Sequence, residues 1–99
     1  MVTRQDEAAA TTDRLRRALL AFQAAQNQLL GAHRRLKGLP QAEVDAFWRG
    51  PGRRLETGMR ATATEMATAF QLFSKAGLVA GAADRHLVTQ ARRHLAEEA

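Results

Sequence analysis

The sequence predicts an all-α protein, an antiparallel helix-turn-helix hairpin that pairs with a second hairpin into a four-helix bundle. Three observations predict it. Apolar residues make up 45% of the chain and many of them are alanine. With leucine, arginine and glutamine these are strong helix formers, while the β-branched residues valine and isoleucine are nearly absent. Two long stretches carry apolar residues at heptad spacing, and between them lies Trp48-Arg49-Gly50-Pro51-Gly52, where two glycines flank a proline. At 99 residues the chain is read as one domain, 1–99.

Residues 1–10 read as a polar arm. The first helix is expected over 12–37, opened by Thr12 or Asp13, either of which can accept a hydrogen bond from the free N–H groups of the first turn. Leu15, Phe22, Leu29 and Leu36 share one heptad position. Leu19, Gln26 and His33 share the other, and Ala18, Ala25 and Ala32 flank the seam. Asp13 near the start and Arg34, Arg35 and Lys37 near the end agree with the helix dipole. Gly38 supplies a C-cap and Pro40 stops propagation.

Pro40 can open a short segment over Gln41 to Phe47. The chain is then expected to reverse in the turn region 38–52, because Pro51 lacks a donor and disfavours helix at Gly50. A second helix is expected over about 53–95. Met59, Met66, Phe73, Ala80 and Leu87 form one of its rows; Ala63, Phe70, Gly77, Asp84 and Ala91 form the other. Glycine inside a helix costs about 1 kcal/mol against alanine, so a bend or fray is expected near 77–81.

Two amphipathic helices make a thin layer. Leu19, Leu20, Leu29, Leu30, Leu72, Phe73, Leu78 and Val79 point in more than one direction, which predicts more than one neighbour for each helix. A second hairpin is the simplest source of it. The residues assigned to pairing are Leu15, Leu19, Phe22, Leu29, Leu36, Met59, Met66, Phe70 and Phe73.

The Trp48-Arg49-Gly50 tripeptide midway between two heptad-patterned helices resembles the WXG family, the small Esx-type substrates and partners of type VII secretion systems. Ala61-Thr62-Ala63-Thr64-Glu65-Met66, followed by Ala69-Phe70-Gln71, also resembles a second-helix sequence of that family. The resemblance implies a virulence-associated protein that is cytoplasmic before export, then secreted or held at the cell envelope by a non-Sec route. It implies a heterodimer with a related small hairpin, a homodimer being the alternative, and contact with the secretion machinery. Trp48 and Gly50 would be the turn motif. Family members that carry the export signal have a tyrosine followed four places later by an acid. Lacking tyrosine, this chain offers His94 with Glu98 as the nearest approximation.

Composition narrows the chemistry. Without cysteine there is no disulfide framework and no thiolate ligand or nucleophile. Met1–Ala10 carries Arg4, Asp6 and Glu7 and no apolar core of a Sec signal, and no apolar run nears the ~18 residues of a membrane span. Ser74 is the only serine and no nucleophile elbow surrounds it. No glycine loop is built to hold phosphate. His33, His86 and His94 lack metal-ligand spacing. The chain is therefore read as a binding protein and not an enzyme, with no cofactor and no metal.

The net charge of +5 suits an acidic partner, an anionic membrane surface or nucleic acid. Arg34, Arg35 and Lys37 end the first helix, and Arg49, Arg53 and Arg54 are read as starting the second, so the six would gather at the turn end. The last three oppose the helix dipole there, and Glu97 and Glu98 oppose it at the far end. An acidic partner or an anionic surface at the turn end follows. A basic helical protein binding nucleic acid or membrane is the alternative. Against nucleic acid, the cations alternate with seam residues and no DNA-reading module appears.

Overall fold

The computed structural model describes residues 3–97. Among them the regular structure is entirely helical: α1 (Arg4–Leu36), α2 (Gln41–Arg49), α3 (Pro51–Lys75) and α4 (Ala82–Glu97).

Helix α1 starts earlier than the heptad pattern indicates. The Thr3 hydroxyl accepts from the Asp6 N–H at 3.1 Å, and the Thr3 N–H donates to Asp6 Oδ2 at 3.2 Å. This reciprocal capping box satisfies two donors that a helix start otherwise leaves open. From Arg4 onward the polar arm is thus the first two turns of a 33-residue helix, about 50 Å long; residues 1 and 2 lie outside the described ones. The helix ends where expected, with Gly38 just beyond it at φ 85°.

Helices α1 and α3 run antiparallel. Arg14 pairs with Glu65, while Arg4 and Glu7 lie beside Lys75 and Gly77. Between them α2 is a separate short helix that includes Trp48 and Arg49, so the tryptophan sits in its last turn and not in a loop. Pro51 opens α3 at its first position, where its missing N–H costs nothing.

The second helix expected over about 53–95 is interrupted near 77–81, the place of the expected bend or fray, by a full break into two helices. Helix α3 stops at Lys75. The Leu78 N–H donates to the Phe73 carbonyl at 3.2 Å, and the Gly77 N–H donates to that of Ser74 at 3.0 Å, with Gly77 at φ 78°. That pair of bonds around a left-handed glycine is a Schellman stop, which ends a helix where a glycine within one would only weaken it. The chain then turns back. In one straight helix Phe70 and Arg92 would stand about 33 Å apart; here the Arg92 guanidinium lies 5.3 Å from the Phe70 ring centre.

Helix α4 packs against α3 and, less extensively, α1. It closes a single core of Leu15, Ala18, Leu19, Phe22 and Ala25 from α1, Met59, Ala63, Met66, Ala69 and Phe73 from α3, Ala80 from the turn, and Val88 and Ala91 from α4. Phe22, Met66 and Val88 are the largest side chains wholly withdrawn from solvent. The alanines let the backbones approach closely. The third layer expected from a second hairpin is thus supplied, along part of the rod, by the chain itself. Its overall extents are 58 × 26 × 23 Å.

Candidate functional site

The residues assigned to pairing meet one another inside the chain. Leu15, Leu19, Phe22, Met59, Met66 and Phe73 are buried, Leu29 and Phe70 are partly buried against them, and Leu36 is half-buried nearer the rod end. Helix α4 covers this seam, so in this conformation it is not offered to a partner. Of the residues expected to point in more than one direction, Leu19 and Phe73 lie in the core and Leu29 and Leu78 against it, while Leu20, Leu30, Leu72 and Val79 are exposed, as is Leu39. Leu20 and Val79 flank an apolar groove of about 330 Å³ between α1 and the start of α4, floored by Leu15, Leu19 and Phe73.

The two polar seam residues of α1 have different fates. Gln26 is half-buried and donates through Nε2 to Gln90 Oε1 at 2.9 Å, tying α1 to α4; the Gln90 amide nitrogen lies 3.2 Å from His86 Nε2. His33 is exposed and packs its ring on Trp48, centre to centre 4.9 Å, tilted by 41°.

Trp48 is held on several sides. Besides His33, the edge of Phe47 meets it at 5.1 Å. Beneath both rings lies buried Gly52, the first turn of α3. A Cβ there would collide with Trp48 Cε3 and come within 2.9 and 3.0 Å of Phe47 Cε1 and Cδ1. At Gly50, by contrast, φ is −117° and a Cβ would meet only the Ala46 carbonyl at an ordinary 3.7 Å. The glycine that the aromatic cluster requires is therefore Gly52 and not Gly50 of the turn motif. A tryptophan and a glycine four places apart across a proline would have been the signal.

On its open side Trp48 joins Leu36 and Val44 in an apolar cleft of about 400 Å³ between the end of α1 and α2. His33, Arg34 and Lys37 form the rest of its lining, and no carboxylate does.

Charge at this end is redistributed by the extra helix break. Arg49 lies in the last turn of α2, where it agrees with the dipole. Arg53 and Arg54 do open α3, whose first turn holds no acid, and so oppose it. Glu97 opposes the dipole of α4, a different helix. Glu98, the acid of the His94 approximation to an export signal, lies outside the described residues, as does its charge at the far end.

A long-range ion pair joins α1 to α3: Arg14 donates through Nε at 2.6 Å and Nη2 at 3.0 Å to the two carboxylate oxygens of Glu65. These hydrogen bonds hold the Glu65 carboxyl below the usual glutamate range, against a smaller opposing effect of desolvation. A carboxylate depressed in the folded state adds stability above its unfolded pKa and loses it as pH falls through the folded value. Acid should therefore loosen this tie only below the normal glutamate range. An NMR titration of the Glu65 carboxyl is expected to show a lowered midpoint that returns to normal in Arg14→Ala; a normal midpoint in the native chain would contradict the bidentate pair.

Among the described residues no group of three or more histidines, cysteines and carboxylates is placed to hold a metal, and no helix is long and apolar enough to cross a membrane. Comparison with protein-family models, curated proteins and solved structures finds no match for the chain.

Proposed function

We propose that this chain is an Esx-like protein of the WXG kind, a small substrate or partner of a type VII secretion system that acts through protein–protein contact as half of a helical-bundle dimer. A related small hairpin is its partner, in a heterodimer rather than a homodimer, and export follows a non-Sec route. The observation that carries the reading is the position of Trp48: between two long antiparallel helices, at one end of a rod, beside the break at Gly50. Exposed Leu20, Leu30 and Leu72 support it, since they lie outside the chain's own core. With the inner seam occupied by α4, pairing takes place on surface outside that seam. Displacement of α4 would be needed for the partner to reach Phe22 or Met66.

Light scattering coupled to gel filtration, on the chain alone and on the chain co-expressed with a small helical neighbour, is expected to give a dimer. A well-folded monomer in both samples removes the reading. Replacing Arg53 and Arg54 with glutamine should weaken association and flatten its dependence on salt, because two cations unfavourably placed for their own helix would then no longer meet an acidic partner. Unchanged affinity at low and high salt would discard that acidic partner. Salt-dependent retention on duplex DNA would instead favour a nucleic-acid-binding protein, and liposome leakage a membrane-active one.

A further inference from the structure

We infer that the cleft between the end of α1 and α2 is a docking site for an acidic segment of a partner protein, which inserts one large apolar side chain against Trp48. The inference stands on the cleft and does not require the Esx-like reading.

Three features lead to it. First, the cleft is preformed. Trp48 is fixed by His33, Phe47 and Gly52, so its ring is held in place without a ligand. Leu36 and Val44 complete an apolar floor. A volume of about 400 Å³ lies at the small end of the ~300–1,000 Å³ usual for ligand sites. That suits a phenylalanine or leucine with part of its backbone.

Second, the lining is cationic and unneutralised. Arg34 and Lys37 border the floor without a carboxylate beside them, and neither forms an ion pair among the described residues. A segment with acids flanking its apolar anchor is complementary, and a basic one is repelled. Third, the indole N–H of Trp48 has no hydrogen-bond partner among the described residues, which leaves a donor for a carboxylate or carbonyl of the segment.

The pairing of a small apolar floor with a cationic rim favours a peptide among anionic partners. Leu36, Val44 and Trp48 form a shallow apolar floor about one large side chain wide, which the vesicle control compares directly with a lipid surface. Nucleic acid would bring a row of phosphates across Leu36 and Val44, which offer them no donor, and would leave the apolar floor unfilled. A peptide anchor fills the floor and meets the rim together.

Trp48 reports on the site by itself, because the chain has one tryptophan and no tyrosine. The probe is a short peptide with one phenylalanine between glutamates; the controls are the same peptide with lysines for the glutamates, and phosphatidylglycerol vesicles. The glutamate peptide is expected to shift Trp48 emission to the blue, with an affinity that falls as salt rises. Arg34→Glu with Lys37→Glu should weaken it at least about tenfold. Since charge reversal at the end of α1 could disturb the helix, Arg34→Gln with Lys37→Gln is measured alongside and should weaken binding to a lesser extent. Absence of a spectral change, equal affinity for the lysine peptide, full affinity in both double variants, or a response to vesicles alone would each overturn the proposal. The readout is independent of rod pairing, so a monomer by light scattering that still binds the peptide would separate this site from the Esx-like reading.

Discussion

Phe22→Ala should lower stability by about 3–5 kcal/mol, the usual cost of removing a buried phenylalanine and leaving a cavity. Phe22 is 0% exposed and lies in the one cluster that joins α1, α3 and α4, with Met66 and Val88 similarly enclosed. A chain of this length is held by about 5–15 kcal/mol in all. The substitution therefore removes about a fifth or more of that margin, and the melting temperature should drop on the order of 20 °C. The melt, followed by circular dichroism, is to be run at two protein concentrations. Because Phe22 is buried within its own chain, the loss should be the same at both. A loss that grows on dilution would place Phe22 at an interface between chains and would mean that α4 is displaced in solution. A loss below about 1 kcal/mol would contradict its burial.

The second large effect is expected at Gly52→Ala. Ordinarily a helical glycine replaced by alanine gains up to about 1 kcal/mol. Here the new methyl would enter the space of the Trp48 and Phe47 rings, neither of which offers a flexible end that could swing away. Helix α2 must then shift as a unit, and overpacking of this kind costs about 1–3 kcal/mol. Trp48 emission should move to the red as the ring is released from His33 and Gly52, with little loss of helix in α1, α3 and α4. Gly50→Ala should cost less, since its added methyl meets nothing closer than ordinary contact. Equal or reversed effects at the two glycines would sink this account of the aromatic cluster. The comparison also bears on the Trp-Xaa-Gly motif: by this geometry its glycine marks the break between α2 and α3, while the packing requirement falls two residues later.

Several parts of the molecule were legible without coordinates because their causes are local. The end of α1 follows from Gly38 and Pro40, which act through their own backbones. The start of α3 follows from Pro51 in the same way. The rows Leu15–Phe22 and Met59–Met66–Phe73 were correctly placed on a common seam, since helical period fixes which side chains share a face. Of the apolar residues expected to point in more than one direction, Leu20, Leu30 and Leu72 are exposed while Leu19 and Phe73 join the seam. Less visible was the start of α1: Thr3 and Asp6 have capping-box spacing, but the apolar period begins only at Leu15, so no apolar row marks the first turns.

The sequence alone determined that the chain is helical, where α1 stops, and which faces of α1 and α3 turn inward, because each depends on residues a few positions apart. Tertiary structure decided that α4 returns to cover that seam and that Trp48 rests on Gly52. Ala80 and Leu87 continue the heptad row of Met59, Met66 and Phe73 in number but not in space. A period counted along the chain carries no information on whether the helix axis continues. That is settled by the Schellman bonds around Gly77 together with the burial of Ala80, Val88 and Ala91 against two other helices, an outcome that no single segment contains.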